Sequence, residues 1–129
     1  KIISDASAVI YHFPFYWMSA PSFLKKWQDE VFTFLSKTPA VAGKSLTVVT
    51  TTGSEYEAYR SGGRNRFTMD ELLRPYQVSA IHSGMSWQTP IVVYGMGTAD
   101  AGKNIAEGAN LYKQRVEMLI GSSNAGNNW

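Results

Sequence analysis

Apolar residues follow two rhythms along this chain, and the alternation between them predicts its elements. Residues 8–13 form an unbroken apolar run closed by Pro14, the pattern of a strand buried on both faces. From Pro21 the spacing turns helical, with Phe23, Leu24, Trp27, Val31 and Phe34 on one stripe and Lys25, Lys26, Asp29 and Glu30 on the wet side. Ser19 is a candidate cap there, and Pro21 suits a first helical position. A loop over residues 36–43, with Pro39 and Gly43, leads to a second strand over 45–50 that stops at Thr51-Thr52-Gly53. Residues 54–65 read as a long, mobile loop containing Gly62-Gly63. Thr68 and Glu71 form a capping signature for a helix with apolar Leu72, Leu73, Tyr76, Val78 and Ile81, which Pro75 should kink or split. Residues 90–95 predict a third strand, and 99–120 a closing helix striped by Ile105, Tyr112, Val116 and Ile120. The remainder, 121–129, reads as a flexible tail. Residues 1–5 look like the end of a helix already under way.

Strands alternating with helices predict parallel pairing in a doubly wound α/β sheet. At 129 residues the chain is one domain or part of one, and 44% apolar with 13% aromatic residues it has the means to bury a core. A net charge of +2 with no long basic run gives no support to a nucleic-acid partner. The absence of cysteine excludes disulfides and zinc-thiolate sites, and fits a reducing cytoplasm. His12 and His82 are too few and too far apart for a metal site, and each reads as structural. Trp27 reads as helix core or dimer surface. No apolar run approaches the ~18 residues of a membrane span. Gly43-Lys44-Ser45 lacks the leading glycine of a phosphate-binding loop and precedes a strand instead of following one, and Gly95-Met96-Gly97 reads as an ordinary strand exit.

Pro14, Phe15, Tyr16, Trp17 and Met18 crowd large rings into the turn after the first strand, where open α/β sheets bind flat ligands. The run of residues 8–13 with Pro14, Tyr16, Trp17, Ser19, Pro21, Leu24, Lys25, Trp27, Asp29, Val31 and Phe32 resembles the signature stretch of flavodoxin-like NAD(P)H:quinone oxidoreductases. Similarity continues through Thr51-Thr52-Gly53, residues 67–75, His82-Ser83-Gly84-Met85 and Tyr112-Lys113-Gln114-Arg115, so it covers nearly all of the chain.

The resemblance implies a truncated flavodoxin-like sheet in which these are strands 3 to 5 of the order 2-1-3-4-5, with the first two strands, their helix and the phosphate-binding loop absent. The edge of the 8–13 strand is then expected to be covered by further chain or a neighbouring molecule. It also implies FMN or FAD as cofactor, NAD(P)H as co-substrate and a quinone or similar acceptor. Backbone N–H groups around Trp17 and Met18 would meet the flavin N5 and O4 edge, while Thr51, Thr52, Gly53 and Ser54 would cradle the pyrimidine edge. Ser54 stands where the family usually has a second glycine. Tyr59 matches a tyrosine that lies over the flavin, and Arg64 or Asn65 falls at the place of an accompanying histidine, so Tyr59 and Asn65 are the candidate catalytic pair. Members are typically homodimers. The 112–115 stretch also resembles ancillary subunits of glutathione-gated potassium efflux systems, so a membrane transporter is an alternative partner.

Overall fold

The computed structural model describes residues 1–125, with side chains described to residue 121. A parallel sheet organises it. Its strands are β1 (Ala8–Pro14), β2 (Ser45–Thr51), β3 (Ser86–Trp87) and β4 (Ile91–Val93). Both β1 and β2 pair along their full length, Ala8 opposite Ser45 through Pro14 opposite Thr51. On the far side of β2, β3 pairs with Ser45 and Leu46 while β4 pairs with Val49 to Thr51. The two short strands thus act as one strand interrupted before Pro90, and β3 was not foreseen. The expected strand over 90–95 shrinks to three residues because its end peels away into a turn.

The helices are α1 (Ile2–Asp5), α2 (Ser22–Trp27), α3 (Thr33–Leu35), α4 (Met69–Leu72), α5 (Arg74–His82) and α6 (Ala101–Ala125). Lys44 has a structural use, donating from Nζ to the carbonyls of Ile3 and Ser4 at the C-terminal end of α1. Between α2 and α3 the helix opens into a π-helical turn, Gln28–Phe32. That turn rotates the following residues, so Phe32 is buried while Val31 and Phe34 of the predicted stripe are exposed. Phe23, Val78 and Ile81 are likewise exposed, against expectation. Thr68 and Glu71 form the reciprocal capping box, and the helix splits at Leu73, leaving Pro75 in the first turn of α5 where its missing N–H costs nothing. The closing helix runs past residue 120 to Ala125; the rest of the expected tail lies outside the described residues. Among the described residues no helix is long and apolar enough to cross a membrane.

Central strand β2 is buried on both faces. By contrast β1 alternates: Val9, Tyr11 and Phe13 enter the core with Leu46, Val48, Phe32, Leu73 and Tyr76, while His12 is exposed. The continuous apolar run therefore misled about burial. On the His12 side the strand meets α6 at the Tyr112 ring, 6.1 Å from the His12 ring. Helix α6 sits against β4 at Gly108, where a Cβ would come within reach of Val93 Cγ2 at 2.3 Å.

Tyr11 sits in the core with no well-formed hydrogen bond to its hydroxyl among the described residues. Burial pushes its phenol up to about 12, an effect that the nearby Gln28 side chain offsets only in part. Because the folded state holds the proton more tightly than the unfolded chain, stability is full below pH 10 and falls as pH rises from about 10 toward 12. Tyr11→Phe is expected to be neutral or stabilising by up to about 1 kcal/mol at pH 7 and to flatten that alkaline loss, which chemical denaturation across the pH range measures.

Candidate functional site

All the strands run the same way, so the turns leaving β1, β2 and β4 gather at one end of the sheet. Backbone bonds stitch them together. Phe15 N donates to Thr51 O (2.9 Å), Thr52 N to Val93 O (2.9 Å), Met96 N to Thr52 O (2.9 Å) and Gly97 N to Gly53 O (2.9 Å). Thr50 Oγ1 adds a bond to Phe13 O at 2.6 Å. The Gly95-Met96-Gly97 stretch therefore does more than end a strand: it braces the Thr52–Gly53 turn from beneath, and Gly97 has room for no larger residue without crowding Gly53 O, 3.1 Å from where a Cβ would lie.

The aromatic turn is a two-residue reversal, closed by Tyr16 N to Ser19 O (2.8 Å) and Ser19 N to Tyr16 O (3.0 Å). Trp17 and Met18 at its tip both take left-handed backbone, φ 49° and 61°. Such turns ordinarily use Asn-Gly, and each bulky residue there costs about 1–2 kcal/mol. Backbone strain of this kind collects at functional sites. Trp17 is 97% exposed and Tyr16 also faces solvent, whereas Phe15 is buried. The turn's exit is anchored from α5 by the Tyr76 hydroxyl, 3.0 Å from both Ser19 Oγ and Ala20 N. Nothing in the spacing pointed to Tyr76.

Among the described residues the backbone N–H groups of Trp17, Met18, Gly53 and Ser54 make no hydrogen bond. Four unpaired donors on two adjacent loops, beside an exposed indole, fit a flat ring carrying acceptors along one edge. Thr51 and Thr52 serve as framework, with Thr52 Oγ1 donating to Ser54 O at 2.8 Å.

Tyr59 is 5% exposed and packs between Phe15 (6.2 Å, 78°) and Tyr94 (5.8 Å, 47°). The candidate ring-covering tyrosine is thus a buried wedge beside Phe15, at the base of the aromatic turn. Asn65 stands next to it in the chain fold, its backbone N–H bonded to Ala58 O (3.0 Å), but no hydrogen bond joins the two side chains among the described residues. Arg64 takes the site-facing part, binding Ser54 and Glu55. Glu55 is held below the usual carboxylate range, first by its own backbone N–H and then by Arg64. Tyr94, in a T-shaped contact with Tyr56, is pushed up to about 12, chiefly by burial and secondarily by Tyr56 and Asp70. A cavity of about 570 Å³ lies between β4 and α6 on one side and Tyr56, Tyr59 and Met69 on the other. Its lining reaches the turns only at their base, through Tyr59 and Tyr94, and includes none of Trp17, Met18, Gly53 or Ser54, so the candidate site is an open shelf rather than that cavity.

A parallel α/β sheet with helices on its faces and its loops gathered at one end of the strands defines a doubly wound protein, the architecture in which ligands commonly bind at that end. The profile described as flavodoxin-like fold matches residues 1–116, and the chain belongs to that family. Among curated proteins it is 36% identical to general stress protein 14 of Bacillus subtilis over 122 residues, covering 92% of this chain and 69% of that one. It is 37% identical over 115 residues to the uncharacterized NAD(P)H oxidoreductase YdeQ of B. subtilis, covering 86% of this chain and 58% of that one. It is also 37% identical over 98 residues to the glutathione-regulated potassium-efflux system ancillary protein KefG of Pectobacterium atrosepticum, covering 73% and 54%. The chain thus spans little more than half of the last two relatives.

Solved structures agree on the fold. An NADPH-quinone reductase from P. pentosaceus matches with TM-score 0.73 at 29% identity, over 83% of this chain and 67% of that one. General stress protein 14 from Treponema denticola, in complex with FMN, matches with TM-score 0.80 at 26% identity, over 92% and 69%. A structure described as a thermophilic tryptophan halogenase from Streptomycin violaceusniger gives TM-score 0.81 at 36% identity, over 89% and 69%.

Proposed function

We propose that this chain carries the ring-binding part of an NAD(P)H-dependent flavoprotein that reduces quinones or related acceptors two electrons at a time. The observation that carries the reading is the Trp17–Met18 turn, left-handed at two bulky residues with both N–H groups unpaired. FMN is the favoured cofactor over FAD, supported by the FMN complex of the T. denticola relative. When bound, the flavin supplies hydride acceptance from NAD(P)H and two-electron donation to the acceptor. Trp17 and Met18 N–H groups would hold its N5 and O4 edge, and Gly53 and Ser54 its pyrimidine edge, where fixed donors stabilise negative charge. The Trp17 indole would wall the shelf and limit water. Tyr59, wedged between Phe15 and Tyr94, fixes the turn and offers a phenol nearby, and Asn65 offers an amide that donates without titrating.

A cytoplasmic homodimer is the expected setting. A visible absorption spectrum of the full-length protein, followed by NAD(P)H oxidation with and without menadione, tests the reading. Bound yellow flavin and menadione-stimulated oxidation are expected; intact protein that neither holds nor takes up flavin refutes it. The 37% identity to an efflux-system ancillary protein favours a second reading, a flavin-binding subunit of a potassium efflux transporter. Co-purification with such a transporter would support it.

A further inference from the structure

The two positions at which this chain departs from its family's pattern meet in space. Ser54 stands where the resembled family usually has a second glycine after Thr51-Thr52-Gly53, and of Arg64 and Asn65, either of which falls at the place of that family's histidine, Arg64 is the one that bonds to Ser54. Arg64 Nη2 donates to Ser54 Oγ at 2.7 Å, while Nη1 donates to Glu55 Oε1 at 2.7 Å and Nη2 also reaches Glu55 Oε2 at 3.3 Å. One guanidinium therefore grips two consecutive residues of the turn that leaves β2.

The direction of the Ser54 bond matters. A hydroxyl that accepts from a guanidinium, which has no lone pair to offer in return, must send its own proton elsewhere. Among the described residues Ser54 Oγ makes no other hydrogen bond, so that donor is available to a ligand. The backbone of Ser54 is held separately, its carbonyl accepting from Thr52 Oγ1 and from Gly95 N, both at 2.8 Å. Backbone and side chain are thus fixed by different partners, and Arg64 governs only the second. Glu55 offsets the guanidinium charge, so what Arg64 contributes is placement and polarisation of a donor rather than bare positive charge.

We propose that Arg64 is a positioning residue that holds the Ser54 hydroxyl as a third donor, beside the Gly53 and Ser54 N–H groups, at the flavin's pyrimidine edge, where it favours the reduced ring. This rests on the flavin reading above. Negative charge grows at that edge on reduction, so a donor preset there binds the reduced form more tightly than the oxidised form. The Arg64–Glu55 pair is largely exposed and adds little to folding, so its loss is read in the ligand and not in the unfolding midpoint.

The test uses the full-length protein with FMN itself as probe. Dissociation constants are measured by fluorescence for oxidised FMN and, without oxygen, for dithionite-reduced FMN. Arg64→Met and Ser54→Ala are each expected to weaken reduced FMN about tenfold and oxidised FMN about twofold or less, the worth of one hydrogen bond to a charged acceptor. The double variant is expected to lose no more than either single one, because both remove the same donor. Arg64→Lys, which keeps the charge but not the fork, is expected to behave as Arg64→Met. Equal binding of both redox forms by Arg64→Met and wild type, or additive losses in the double variant, overturns the inference alone. Wild-type protein that binds no FMN overturns the flavin reading and the inference with it.

Discussion

Gly63→Ala is expected to lower the unfolding free energy by about 1–3 kcal/mol, the usual cost of forcing atoms into a closed site. A Cβ at this position would lie 2.2 Å from Glu57 O and 2.7 Å from Ala58 O. Both obstacles are backbone, so no side-chain rotation relieves them. The loop is tied at this point by Gly63 N to Arg60 O (2.9 Å), Arg66 N to Gly63 O (3.1 Å) and Asn65 N to Ala58 O (3.0 Å), so the methyl group displaces the segment carrying Tyr59 and Arg64. FMN affinity of the full-length protein should fall in the same variant. Gly62 supplies the control: its φ is +87° with open space around a Cβ, so alanine there costs only the left-handed backbone penalty of about 1–2 kcal/mol and leaves the Tyr59 wedge in place. Urea midpoints and FMN binding of the two variants together decide the matter. A Gly63→Ala protein with a wild-type midpoint would show that the loop does not pack this way.

Local signals were legible wherever one short segment decides its own conformation. Thr68 and Glu71 announce their capping box and Pro75 its helix break, because both effects act within a turn. The strand turns at Pro14 and Gly53 were legible as a candidate site because parallel strands place all their C-terminal ends together. What stayed hidden depends on segments distant in sequence. The π-helical turn at Gln28–Phe32 leaves no mark in an apolar stripe that fits an α-helix equally well. The Phe15–Tyr59–Tyr94 stack and the Tyr76 hydroxyl under Ser19 join residues tens of positions apart, and a tyrosine in a polar loop gives no sign of burial. Ser54 and Arg64 each look like a defect when read singly. They make sense only as partners.

The largest effect is expected from the free side of β1. A trough of about 400 Å³ runs along that strand, floored by Val9 to Pro14 and walled by Ile3, Pro21, Phe23, Leu24 and Trp27. Among the described residues β1 pairs on one side only, with β2, so its other side offers unpaired backbone groups along an apolar groove. Phe23 stands exposed at the rim, and His12, also exposed, lies on the opposite face of the strand against the Tyr112 ring of α6. An edge of this kind recruits another strand. The 129-residue chain by itself is therefore expected to self-associate in sedimentation as its concentration rises, and to bind a hydrophobic dye. Ile10→Lys together with Phe23→Lys should return it to a 14.3 kDa monomer. Burial of two large apolar side chains is worth about 3–6 kcal/mol, so the dissociation constant should rise by at least about a hundredfold. A wild-type chain that stays monomeric and dye-free at high concentration would show the trough to be inert. If association is found, the part of the stress-protein relative that this chain does not match, about a third of its length, becomes the natural probe. Added in trans, a segment that lays a parallel strand beside β1 should abolish self-association, since two strands cannot occupy one edge.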